Sequence, residues 1–339
     1  MKRLWIGVVG LIVGMGGAGQ AGADPVTGEL FFTIFSGTPN VQRVTVSYDG
    51  ATTFTLGTPT PVGTTFGADG ITGNPKNSDL LIVGGQGAQV NTISKSTGVA
   101  TLTPSPVSVF HLAVPTTDTV LVSGIPGSLA RHPILAGGVI GAGTTISLTG
   151  DDTALTSIIP TPSGFFYTAS GPGGSGTYGT ITFNTGVDTA TSAVTNRLYG
   201  PGGDVSGSFL AAAHGGIYDP FTGDVIIMGA NTISQLSLAG AILSELMVPG
   251  QTFDQGAADG AGHLFVASNG GSLEFVDYAA SGLVGATSNF KANRFLANSL
   301  DDIAPLVGPG GTTQLPVPGT LLLLSVALVG LGFRRRKRP

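Results

Sequence analysis

The side chains with the most chemical potential are four histidines, His111, His132, His214 and His263, set among 19 acidic residues in a chain of 339 with no cysteine. His111 and His214 precede short apolar runs by similar distances. If those runs are equivalent units of a repeat, both imidazoles sit near the start of an inner strand and face a common axis. Such a pair can act as general base and acid, or bind a divalent metal together with Asp69, Asp219 or Asp259. His263 follows Gly262 and reads as a solvated hairpin residue. No third partner stands at recognisable spacing, so His111 and His214 are candidates without an assigned catalytic role.

Other chemistries lack their signatures. There is no Gly-x-Ser-x-Gly elbow, no phosphate-loop Gly-Lys-Ser/Thr and no His-Glu-x-x-His. Calcium loops need oxygens at fixed spacing, and no Asp-x-Asp-x-Asp-Gly run with a distal glutamate occurs. Asp49-Gly50, Asp69-Gly70 and Asp259-Gly260 read as tight turns, while Asp151-Asp152 and Asp301-Asp302 are the densest acidic pairs. No metal site is assigned and no cofactor is expected, although a structural calcium ion is compatible with the aspartates.

The elements that would position these residues come from a repeat. Asn74-Pro75-Lys76-Asn77-Ser78-Asp79-Leu80-Leu81-Ile82-Val83-Gly84 aligns without gaps to Asp219-Pro220-Phe221-Thr222-Gly223-Asp224-Val225-Ile226-Ile227-Met228-Gly229, and both copies continue to Asn-Thr-Ile-Ser, at 91–94 and 231–234. Each copy is a proline-fixed turn, then a short apolar β run ending at glycine, then an alternating strand. Weaker copies of the run lie at 29–37, 118–124, 163–171 and 262–270. The closing glycines, Gly37, Gly84, Gly124, Gly171, Gly229 and Gly270, are spaced by 47, 40, 47, 58 and 41 residues. That period suits four-stranded propeller blades of roughly 40–50 residues.

The expected fold is therefore all-β, a six-bladed β-propeller, with a β-solenoid or β-sandwich as the alternative. The apolar runs are expected to be the innermost strands and Gln42 to Tyr48 an outer one. Ser299 to Leu306 is expected to end the last blade. Gly171-Pro172-Gly173-Gly174-Ser175-Gly176 and Gly200-Pro201-Gly202-Gly203 read as long loops in the widest interval.

Composition agrees with an exported β body. Charged residues make up 10% of the chain against about 25% in an average globular protein. The 56 glycines and many hydroxyl side chains leave backbone and Ser/Thr to supply surface polarity. Two basic residues lie at the N-terminus and five at the C-terminus, so the part between carries seven against all 19 acidic residues, a net of −12. Nucleic acid is excluded as a partner on that ground. Without disulfides, core packing and hydrogen bonds must hold the exported chain together.

Both ends read as targeting segments. Residues 1–23 carry Lys2 and Arg3, an apolar stretch, and Ala21 and Ala23 at the positions a signal peptidase reads, as in a secretory signal peptide. Residues 315–339 run from Pro316-Val317-Pro318 through an uncharged apolar stretch to Arg334, Arg335, Arg336, Lys337 and Arg338. The stretch is long enough for a single transmembrane helix, and the basic cluster places its end in the cytoplasm. Between them lie a body at 24–307 and a glycine-rich linker at 308–314.

The proline pair, apolar stretch and terminal arginines resemble the C-terminal sorting domain of bacterial PEP-CTERM proteins, with Val317 where that family has glutamate. The resemblance implies recognition by an exosortase, a membrane protease-transpeptidase that removes the helix and releases or attaches the protein at the cell surface. It covers only these last residues. The expected whole is an exported, transiently membrane-anchored surface or matrix protein with a non-enzymatic binding or structural role, extracellular polysaccharide being a possible ligand. The alternative is a secreted propeller lyase or hydrolase acting on extracellular polymer.

Overall fold

Where apolar and polar residues alternate, as in VQRVTVSY at 41–48, the strand buries one face, and where the run is wholly apolar it is covered on both. In a computed structural model, which describes residues 25–124, 128–169, 176–199 and 213–304, these strands build six antiparallel blades. The first blade contains β1 (Val26–Ile34), β2 (Val41–Tyr48) and β3 (Phe54–Leu56), with β4 (Thr60–Gly63) also pairing with β2. The second is β5 (Ile71–Gly73), β6 (Leu80–Gly84), β7 (Gln89–Ser94) and β8 (Ala100–Pro104). The third is β9 (His111–Thr116), β10 (Thr119–Gly124), β11 (Ser128–Pro133) and β12 (Thr144–Gly150). The fourth is β13 (Leu155–Thr161), β14 (Gly164–Ala169), β15 (Thr177–Phe183) and β16 (Ser192–Tyr199).

The last two blades share a strand. β17 (Gly216–Asp219) pairs with the start of β18 (Asp224–Leu236), whose second half pairs with the first half of β19 (Ile242–Ala258). Asn231, with φ of 61°, marks the bend between the halves of β18. The second half of β19 then opens the sixth blade with β20 (His263–Ser268), β21 (Ser272–Asp277) and β22 (Phe290–Phe295). The final strand, β23 (Leu300–Ile303), returns to pair antiparallel with β1 and completes the first blade. The rims of the third and fourth blades are also joined, β12 running parallel to β16.

Ring closure is visible in the packing. Six separate apolar clusters occur among the described residues, and each spans one pair of neighbouring blades. The seam between the first and sixth blades, which closes the circle, is the most aromatic: Phe54 stacks on Phe275 at 4.3 Å and Tyr48 lies 4.9 Å from the same ring. A solenoid or sandwich does not generate such a cyclic set, so the six-bladed propeller is the fold.

Two expectations about strand position change. The apolar runs are β1, β6, β10, β14, β18 and β20, each second from the axis rather than innermost. A second strand is paired along both edges and covered by blades on both faces, so it has the least contact with water. The innermost strands are short and carry polar residues. The segment at 299–306 does not end the last blade, because β23 belongs to the first. The proposed loops at 171–176 and 200–203, the linker at 308–314, the signal segment and the C-terminal segment lie largely or wholly outside the described residues. Among the described residues, no helix is long and apolar enough to cross a membrane.

Candidate functional site

Polar residues stand at corresponding places on the innermost strands. Asp69 comes two residues before β5, as His214 does before β17, while His111 opens β9 and Thr156 lies at the start of β13. Asp254 opens the inner half of β19, and Asp301 and Asp302 lie in β23. One local device recurs: the Asp69 N–H donates to Gly84 O at 3.0 Å, and the His214 N–H to Met228 O at 2.8 Å, tying each residue to the neighbouring second strand.

Glycine follows both of these residues for a steric reason. The Gly70 N–H reaches Phe110 O in the next blade at 2.6 Å, and a Cβ on Gly70 would stand 2.3 Å from that oxygen. A Cβ on Gly215 would meet Asp254 O at 2.1 Å. These contacts draw Asp69 toward His111 and His214 toward Asp254.

The side chains meet on the axis. The rings of His111 and His214 are 4.8 Å apart and near-perpendicular at 75°. Asp254 lies between them, its Oδ1 2.6 Å from His214 Nδ1 and 3.7 Å from His111 Nε2. On its other side, His111 Nδ1 is 3.2 Å from Asp302 Oδ2. Gln86 donates to Asp69 Oδ2 at 3.1 Å, and the Thr33 hydroxyl donates to Asp69 O while accepting from the Asp302 N–H. Asp69, His111, Asp254, Asp301 and Asp302 are buried; His214, with 37% of its side chain exposed, is the member that reaches solvent.

Burial dominates the electrostatics. It pushes the Asp69 carboxyl up to about 7, against the opposing pull of His111 and reinforced by Asp302 and Asp254. Burial and the surrounding carboxylates push Asp301 to about 12, and burial with Asp254 raises Asp302 well above the carboxylate range. Asp254 goes the other way: burial would raise it, but His214 and His111 override that cost and hold it well below its ordinary value.

Two trios have ligand atoms close enough to hold one metal ion, His111 with His214 and Asp254, and Asp69 with His111 and Asp302, each set lying within 4.8 Å. Of the residues named from sequence, the structure unites His111, His214 and Asp69 and excludes two. Asp219 closes a turn, accepting from the Phe221 and Thr222 N–H groups and the Thr222 hydroxyl. Asp259 pairs instead with His263 at 2.6 Å. His263 is buried, not a solvated hairpin residue, because it lies between Asp259 and Asp277 and against the Phe275 ring. His132 is buried too, its ring nitrogens facing Gly141 O and Ser105 Oγ.

Sequence reasoning missed Asp254, Asp301 and Asp302 as members of the site. The pair at 301–302 is conspicuous in sequence, but nothing local marks its strand as part of the first blade. Asp254 had one available signal, since Asp254-Gln255-Gly256, like Asp69-Gly70, places an acid and a nearby glycine where an innermost strand begins.

The closed ring with its polar axis defines a six-bladed β-propeller, and comparison with known proteins adds the destination of the chain. Residues 314–337 match the PEP-CTERM protein-sorting motif. No curated protein matches the chain. Among solved structures, it is similar to a calcium-binding protein, regucalcin, from Agrobacterium tumefaciens strain C58, with 14% identity, a TM-score of 0.48, and coverage of 71% of this chain and 78% of that one. The sorting motif supports export and surface sorting, with an exosortase as the processing partner.

Proposed function

We propose that the protein enters the export pathway through a signal peptide at 1–23, is held at the inner membrane by the apolar segment within 315–339, and is processed at the sorting motif by an exosortase-type protease. The product is an acidic propeller, displayed at the cell surface or released, that binds an extracellular ligand at the axial mouth. The observation that carries this reading is the His214–Asp254 pair, in which a half-exposed imidazole is fixed by a buried carboxylate at the point where six blades converge. A neutral or cationic extracellular polysaccharide suits that mouth, because the carboxylates behind it disfavour an anionic chain. This reading requires no organic cofactor.

Two measurements test it. Mass spectrometry of the termini of the mature protein from its native host should find residues 1–23 removed and the Arg334 to Arg338 cluster absent from the surface fraction. An intact basic tail in that fraction would leave a plain membrane anchor instead of a sorted product. Binding of the purified protein to the host's extracellular polysaccharide, followed by sedimentation, should be lost in His214→Ala; equal binding by the variant sinks the axial mouth as the binding point.

The same pair favours a second reading, an acid-base lyase or hydrolase on that polymer. A carboxylate that holds one imidazole nitrogen orients the ring for proton transfer through the other. New reducing ends or unsaturated products on incubation, abolished in His214→Ala, would establish turnover; an unchanged polymer would leave binding as the function.

A further inference from the structure

The axis contains more buried polar atoms than its hydrogen bonds satisfy. Both ring nitrogens of His111 and both carboxylate oxygens of Asp302 are buried without a hydrogen-bond partner, and Asp301 Oδ2 is a fifth such atom. Each unmet group costs roughly 1–3 kcal/mol, more when charged. Six other such atoms occur among the described residues, so what sets these five apart is that they stand together on the axis beside a metal-competent trio. They point at a common object.

We infer that the propeller is built around a divalent metal ion held by Asp69, His111 and Asp302. The choice between the two possible trios follows from which atoms are already engaged. Asp254 Oδ1 and His214 Nδ1 are hydrogen-bonded to one another at 2.6 Å, whereas Asp302 Oδ2 and His111 Nδ1 face each other at 3.2 Å without a hydrogen bond between them. A neutral imidazole has one lone pair to offer and one N–H to give. With Nδ1 on the metal beside Asp69 and Asp302, His111 turns Nε2–H toward Asp254, the carboxylate-histidine-metal arrangement that orients a ligating ring. Placing the ion on the Nε2 side would break the His214–Asp254 bond and leave Asp302 unmatched.

The charge count agrees. Two carboxylates balance one divalent cation, and their ligand atoms lie within 4.8 Å of that of His111. The donor set of one imidazole and two carboxylates suits manganese, iron or zinc, while calcium and magnesium prefer all-oxygen shells. The three ligands come from β23, the lead into β5, and β9, so the ion would clamp the first, second and third blades at their shared inner edge.

The test is metal titration of the full chain, purified in detergent and stripped with chelator. Calorimetry with manganese and zinc should give one ion per chain, and calcium should bind more weakly than either. Asp302→Asn and His111→Gln should each weaken manganese binding by about 100-fold or more, while His214→Ala should keep it within about 10-fold. Loss of binding in His214→Ala with retention in Asp302→Asn would move the ion to the other trio and overturn the assignment. If the axial variants fail to fold, pulsed electron paramagnetic resonance of manganese on the unmodified protein decides: one coupled imidazole nitrogen is expected. No coupled nitrogen, or no binding of either metal, refutes the site.

Discussion

Two clusters of buried charge, one on the axis and one at the fourth blade, use similar residues in opposite ways. Asp152, just before β13, receives two bonds from Arg197, at 2.9 Å from Nε and 2.5 Å from Nη2, and a third from the Tyr167 hydroxyl at 2.7 Å. Its backbone is also tied to Thr195. On the axis, four carboxylates share two imidazoles, and several of their atoms make no hydrogen bond. A buried network kept for architecture satisfies every member, whereas one that leaves donors and acceptors unmatched is arranged for something that arrives from outside.

That contrast breaks if the two clusters respond alike to mutation. The largest effect is expected at the satisfied one: Arg197→Ala strands the Asp152 carboxylate and should destabilise the fold by about 3 kcal/mol in urea unfolding. Gly215→Ala tests how the axis is positioned. Its Cβ would press on Asp254 O, so a loss of about 2 kcal/mol is expected together with weakened ligand binding at His214. Asp302→Asn should have the opposite sign, gaining about 1 kcal/mol in the chelated protein, because a neutral amide relieves the crowding of a buried carboxyl against Asp254. A loss as large as that of Arg197→Ala would make the axis an ordinary structural network.

Two smaller effects sharpen the comparison. Tyr48→Phe removes a 2.7 Å bond to Asp277 across the closing seam and should cost about 1 kcal/mol, read as a lowered thermal midpoint. The last effect is acidic. Burial works to raise Asp152, yet the hydrogen bonds from Arg197 and Tyr167 prevail and hold it below its ordinary 3.8. Its contribution is therefore present above that value and lost as pH falls through the depressed one. The stability gap between the native chain and Asp152→Asn should shrink below about pH 4; a gap that widens on acidification would reverse the assignment.

The blade number was legible because the second strands are the driest part of each blade and leave continuous apolar runs at a regular period. The turns were legible for the same local reason: the Asn74 and Asp219 carboxamide and carboxylate cap Lys76 and Phe221 alike, as their aligned positions require. The His111 and His214 pair followed from equivalent placement in two units. What escaped was whatever depends on where a short polar segment lies around the ring. An Asp-Gly that leads into an innermost strand and an Asp-Gly in the turn that follows one look identical, so Asp69-Gly70 and Asp259-Gly260 share one reading in sequence and have two fates. β23 has no local mark of its partner, since its pairing with β1 joins opposite ends of the body.

That pairing also decides how the molecule meets mechanical load. The chain leaves the first blade at Ala304 toward the sorting motif at 314–337, so a tether made there pulls first on β23, a strand of four residues. Traction through such a tether would fall on the strand that carries Asp301 and Asp302. The latch of the ring and its axial carboxylates lie on one line of force. A pull strong enough to peel β23 from β1 would open the circle and withdraw those carboxylates together.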